Sequence, residues 1–100
     1  MGILYVTEFS EQHVQGGRQV AQMNGGVVDQ TPVTFTTTTA SAAFAATTTL
    51  VRIHTNAICS IKFGTAPSAT TSNFRMAADQ TEYFGVPLGA AYKVAAVANT

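Results

Sequence analysis

Leu50-Val51-Arg52-Ile53-His54-Thr55-Asn56-Ala57-Ile58-Cys59-Ser60-Ile61-Lys62-Phe63-Gly64 is the stretch on which the fold turns. Thr49, Val51 and Ile53 share one face of an extended chain, and Leu50, Arg52 and His54 share the other. Further on, Cys59, Ile61 and Phe63 alternate with Ile58, Ser60 and Lys62. Closing a hairpin over Thr55, Asn56 and Ala57 sets Ile53 opposite Cys59, Val51 opposite Ile61 and Thr49 opposite Phe63. One face is then apolar throughout. Closing over Thr55 and Asn56 alone sets Val51 against Ser60 and mixes the faces. A slip of one residue exchanges core and solvent sides, so the three-residue loop is the expected register. Asn56 is expected to take a left-handed turn position.

Downstream, Thr65-Ala66-Pro67-Ser68-Ala69-Thr70-Thr71-Ser72 reads as a connector. Three strand candidates follow: residues 73–77 with Phe74 and Met76 inward, residues 81–86, and residues 92–98. Pro87-Leu88-Gly89 makes a turn between the last two. Upstream, Val33-Thr34-Phe35 and the threonines to 39 suit a pleated surface, and they lead into an alanine-rich turn around Phe44. No window sustains a 3.6-residue period with helix caps. Many short strands without helices predict an all-β fold, a small antiparallel sandwich or barrel of jelly-roll-like type.

Residues 1–31 differ in texture. Ile3-Leu4-Tyr5-Val6-Thr7-Glu8-Phe9 is a strand candidate, and the glycine pairs Gly16-Gly17 and Gly25-Gly26 punctuate the polar stretch behind it. This half is expected to be an extended N-terminal arm with one or two short strands, ahead of a β domain at 32–100. Removing residues 1–29 should on that reading spare much of the core.

One hundred residues give one domain. Charged residues are 10% of the chain, against about 25% in an average domain. Five basic residues balance five acidic ones, which argues against an electrostatic grip on nucleic acid. No apolar run reaches the roughly 20 residues of a membrane-spanning helix. Neither nucleic acid nor membrane is therefore an expected partner. Thr and Ala occupy 16 positions each, and a chain so poor in charge is ill equipped to stay dispersed alone. Part of its surface is expected to be covered.

Chemistry-bearing residues are few: two His, one Cys and five carboxylates. No spacing fits a metal site, so no metal or cofactor is expected. Cys59 falls on the apolar face and His54 on the opposite one, so the thiol reads as a small buried hydrophobe rather than a nucleophile. Asp79 and Glu82 read as solvated charges, and no catalytic residue is assigned. Arg52, Lys62, Arg75 and Lys93 take outward strand positions. Tyr83 and Phe84 put rings on both faces of one strand, so one ring must look away from the core.

The run from Leu50 to Gly64 quoted above resembles small virion proteins of tailed bacteriophages. So do Ala66-Pro67-Ser68-Ala69-Thr70, the run Ala77-Ala78-Asp79-Gln80-Thr81-Glu82-Tyr83-Phe84-Gly85-Val86, the ending Lys93-Val94-Ala95-Ala96-Val97, and the opening strand candidate at 3–9. The resemblance covers most of residues 3–9 and 50–97, and the middle of the chain is less distinctive. It implies a β-rich structural protein without an active site. Its leading implication is a capsid decoration (cement) protein on the outer surface of the virion head. There a small homo-oligomer, dimer or trimer, would bridge neighbouring major capsid proteins, with the arm adding strands to exposed edges. A head–tail connector or tail component, or a receptor- or glycan-binding module on a fibre, is the alternative. Tyr5, Phe9, Arg52, Lys62, Arg75, Tyr83 and Phe84 are the candidate interface residues.

Overall fold

A computed structural model describes residues 2–10 and 27–99, with the backbone alone of 12–15 and 18–21. The glycine pairs and Glu11 lie outside the described residues. The elements are β1 (Gly2–Phe9), β2 (Gln12–Gln15), β3 (Arg18–Ala21), β4 (Val28–Asp29), β5 (Val33–Phe35), β6 (Thr39–Ala40), β7 (Leu50–Thr55), β8 (Cys59–Gly64), β9 (Phe74–Met76), β10 (Thr81–Gly85) and β11 (Lys93–Ala98). The fold is all-β, as the alternation predicts.

Two antiparallel sheets form a sandwich, not a closed barrel. The larger runs β10-β7-β1-β4, with β5 also paired to β1, and the smaller runs β6-β11-β8-β9. β2 and β3 pair with each other in a separate two-stranded ladder. Without β2, β3 and the two-residue β4, four strands remain in each sheet, in the orders β5-β1-β7-β10 and β6-β11-β8-β9. The pairs β1–β7, β7–β10, β8–β11 and β11–β6 each join strands three places apart when those eight are counted in a circle. That wrapping is the connectivity of a jelly roll.

Residues 49–63 do not form a hairpin. β7 has both edges occupied, by β1 and β10, and β8 lies in the other sheet between β11 and β9. The chain crosses from one sheet to the other over residues 56–58. Alternation is blind to this difference, because strands facing each other across a core need the same apolar period as strands side by side. Val51, Ile53, Cys59 and Ile61 do share one core, with Leu4, Val6, Phe35, Met76, Val94 and Ala96, and Phe63 packs against it half-buried.

Asn56 shapes the crossing by its side chain, not by a left-handed backbone. Positive φ among non-glycine residues is confined to Asp79 and Ala91 among the described residues. The Ile3 amide donates to Asn56 Oδ1 at 2.7 Å, and the Asn56 amide donates to the Ile3 carbonyl at 3.1 Å. Thr55 Oγ1 donates to the Ala57 carbonyl at 2.6 Å. The crossing is thus pinned to β1.

β1 itself lies inside the larger sheet, with β7 on one side and β4 and β5 on the other. Its Leu4 and Val6 are buried in the core. Truncation through residue 29 removes this strand, so the expectation that the core survives such a deletion is withdrawn. Phe74, expected inward, is 50% exposed. β9 is an edge strand, and its ring reaches the rim, where it meets Phe84 edge-on with centroids 5.6 Å apart.

Candidate functional site

The two outer faces of the sandwich differ. On the smaller sheet, Ser60 and Ala95 point away from the core by alternation, yet both are fully buried. Asn99 and the connector at 65–73 lie against this side at Ser60. The connector's Ala69 amide donates to Thr38 Oγ1 at 2.8 Å, and Asn99 Nδ2 donates to the Thr71 carbonyl at 3.2 Å and to Ser60 Oγ at 2.8 Å. A loop that reads as a simple linker is therefore a partial third layer.

The larger sheet keeps an exposed outer face. Cross-strand pairing sets Tyr5, His54 and Thr81 in one row and Thr7, Arg52 and Tyr83 in the next, with Asp29 beside Thr7. Tyr5 is 39% and Tyr83 54% exposed, and Arg52 is half-buried. Tyr5 and His54 pack as tilted rings with centroids 6.1 Å apart. His54 Nδ1 hydrogen-bonds Thr81 Oγ1 at 2.7 Å, while Nε2 faces the exposed Asp79 carboxylate at 3.9 Å. Thr7 Oγ1 donates to Asp29 Oδ1 at 3.0 Å. Two phenols, a guanidinium and an oriented imidazole on a pleated surface suit noncovalent contact with a second surface.

The candidate interface residues do not form one patch. Tyr5, Arg52 and Tyr83 share this face. Lys62 and Arg75 are exposed on the outer side of the opposite sheet. Phe84 turns inward and is half-buried between Phe63 and Phe74, at 4.9 and 5.6 Å. Phe9 is 2% exposed and offers no surface. Phe9 points outward in the alternation of β1, and that pattern alone makes it look available.

Cys59 and His54 are kept apart, the thiol in the core and the imidazole on the outer face. Burial pushes the Cys59 thiol above its ordinary value of 9.0, and a hydrogen bond with Thr55 partly opposes the shift. No cluster of three or more His, Cys, Asp or Glu occurs among the described residues. An open groove of about 390 Å³ runs between residues 30–34 and 39–42, and Thr, Pro and Ala side chains dominate its walls.

Glu8 is a feature the sequence reading missed. It sits on the inward face of β1 and is 2% exposed. Oε1 accepts from Thr48 Oγ1 at 2.6 Å and from the Ala45 amide at 2.7 Å, and Oε2 accepts from Gln30 Nε2 at 2.7 Å. The only available signal was a carboxylate in phase with Leu4 and Val6. The carboxylate ties two loops to the central strand, which is a structural task.

No family model matches the chain, no curated protein matches it, and no solved structure matches it.

Proposed function

We infer that the protein is a capsid decoration (cement) protein of a tailed bacteriophage, acting on the outer surface of the head. The resemblance in the sequence raises this reading. One structural observation supports it: one outer face of the sandwich is partly covered by the chain's own loop, with Lys62 and Arg75 still exposed there, and the other is uncovered and carries Tyr5, Arg52, His54 and Tyr83. A block that docks by one face onto a repeating lattice needs that asymmetry. Modest contacts repeated over a shell then add up to resistance against internal pressure.

In this role the open face lies on the major capsid proteins and bridges neighbours, while the loop-covered face looks outward. Arg52 offers a guanidinium to a carboxylate, and the tyrosines supply rigid contact area at low entropic cost. The reading needs no cofactor and no chemical step.

Copy number in purified particles tests it. Decoration requires copies on the order of hundreds per head. A dozen or fewer would move the protein to the connector or tail. Particles lacking it should assemble and then burst more readily on heating. Arg52→Glu combined with Tyr5→Ala should fold normally and fail to bind such particles. Retained binding by this variant would remove the open face from the account.

A further inference from the structure

The edges of the two sheets are unequal. β4 and β6 are two residues long, and β5 and β9 are three. Short edges are one way proteins avoid unwanted strand pairing. β10 has five residues and carries no lysine or proline. Among the described residues only one of its sides is occupied, by β7.

The register identifies which backbone groups it leaves open. The Thr55 amide donates to the Gln80 carbonyl at 3.2 Å, and the Val86 amide donates to the Thr49 carbonyl at 3.0 Å. Between these bonds, Glu82 pairs with Ile53 and Phe84 with Val51. In an antiparallel ladder alternate residues direct both N–H and C=O to the same neighbour. Glu82 and Phe84 therefore bond β7, and Thr81, Tyr83 and Gly85 direct N–H and C=O outward. No partner for those groups occurs among the described residues.

We propose that this edge pairs with the same edge of a second copy, antiparallel and about a two-fold axis at Tyr83. In that register Thr81 of each copy faces Gly85 of the other, and Tyr83 faces Tyr83. All three are hydrogen-bonded pairs, so every outward donor meets an outward acceptor. A shift by one residue opposes bonding groups to non-bonding ones. The exposed side chains fit the same arrangement. Tyr83 and Phe74, 54% and 50% exposed, lie on this flank, Phe74 beneath β10 in contact with Phe84. The pairing brings the two Tyr83 rings together and covers Phe74. Glu82 never faces Glu82, and a net charge of +0 adds no repulsion between copies.

Amide hydrogen exchange on the purified protein tests this directly, and its outcome is independent of any virion. Raising the concentration from micromolar to near-millimolar should slow exchange at Thr81, Tyr83 and Gly85 by roughly tenfold or more. Glu82 and Phe84, already bonded to β7, should change little by comparison. Sedimentation should show a dimer at the high concentration. Tyr83→Pro removes an outward N–H together with the ring and spares the hydrogen bonds to β7, so it should yield a folded monomer. Phe74→Lys, which leaves the backbone of β10 alone, should weaken the dimer as well. A monomer at every concentration would overturn the proposal. So would a dimer unaffected by both variants, or protection without the alternate-residue pattern.

Discussion

Replacing Glu8 by Gln keeps the shape of the side chain and reverses the hydrogen-bonding sense of one terminal atom. Oε1 would remain an acceptor for the Ala45 amide and the Thr48 hydroxyl. The new NH₂ group would take the place of Oε2, facing Gln30 Nε2. Gln30 cannot simply turn its amide over, because Nε2 also donates to the Ala42 carbonyl and Oε1 accepts from the Ala42 amide, both at 3.2 Å. Turning would set donor against donor and acceptor against acceptor there. The variant loses one charge-assisted bond and strands a donor. A bond to a charged group is worth about 1.5–3 kcal/mol, and an unmet buried donor costs about 1–3 kcal/mol. Relief from burying a carboxylate offsets part of this. The expected net loss is about 2–4 kcal/mol, or a fall in Tm of roughly 10–30 °C for a domain of this size. Far-UV circular dichroism with urea and thermal melts measures it, since the chain contains no Trp. Thr48→Val, alone and combined with Glu8→Gln, gives the coupling across the 2.6 Å bond. A Glu8→Gln protein within about 0.5 kcal/mol of wild type, with no coupling to Thr48, would refute the claim that this carboxylate fastens the two loops.

Ile61→Ala should cost about 2–5 kcal/mol in urea unfolding, whereas Lys62→Ala, one residue on and exposed, should stay within about 0.5 kcal/mol. Gly2→Ala should destabilise by about 1–3 kcal/mol, because a Cβ there would stand 2.8 Å from one Phe35 ring carbon and nearer to another. Cys59 should resist thiol reagents in the native state and react on unfolding. Its folded-state value is raised above the ordinary 9.0, so its contribution to stability is full below that pH and declines as pH climbs through the raised value. Cys59→Ala should flatten that alkaline decline, as urea melts at pH 8 and 10 would report. Deleting residues 1–29 should give a chain without a cooperative melt, because β1 is the strand between β7 and β5.

The sequence by itself determined the fold class and the sidedness of each strand. Period-two alternation put Val51, Ile53, Cys59 and Ile61 inward and Arg52, His54 and Lys62 outward, because side-chain direction is a local property of extended backbone. It also separated Cys59 from His54 before any pairing was known. Which strand lies beside which was not in that pattern. Adjacent strands and strands facing across a core demand the same alternation, so residues 49–63 read as a hairpin until β1 and β10 are seen to fill both edges of β7. Tertiary structure alone decided the rest. It made residues 3–9 a central strand and tied loop 65–73 to Ser60 through Asn99. It also gave Glu8 three donors from segments 22 to 40 residues away. Each of these depends on contacts between residues distant in the chain, which composition and periodicity do not encode.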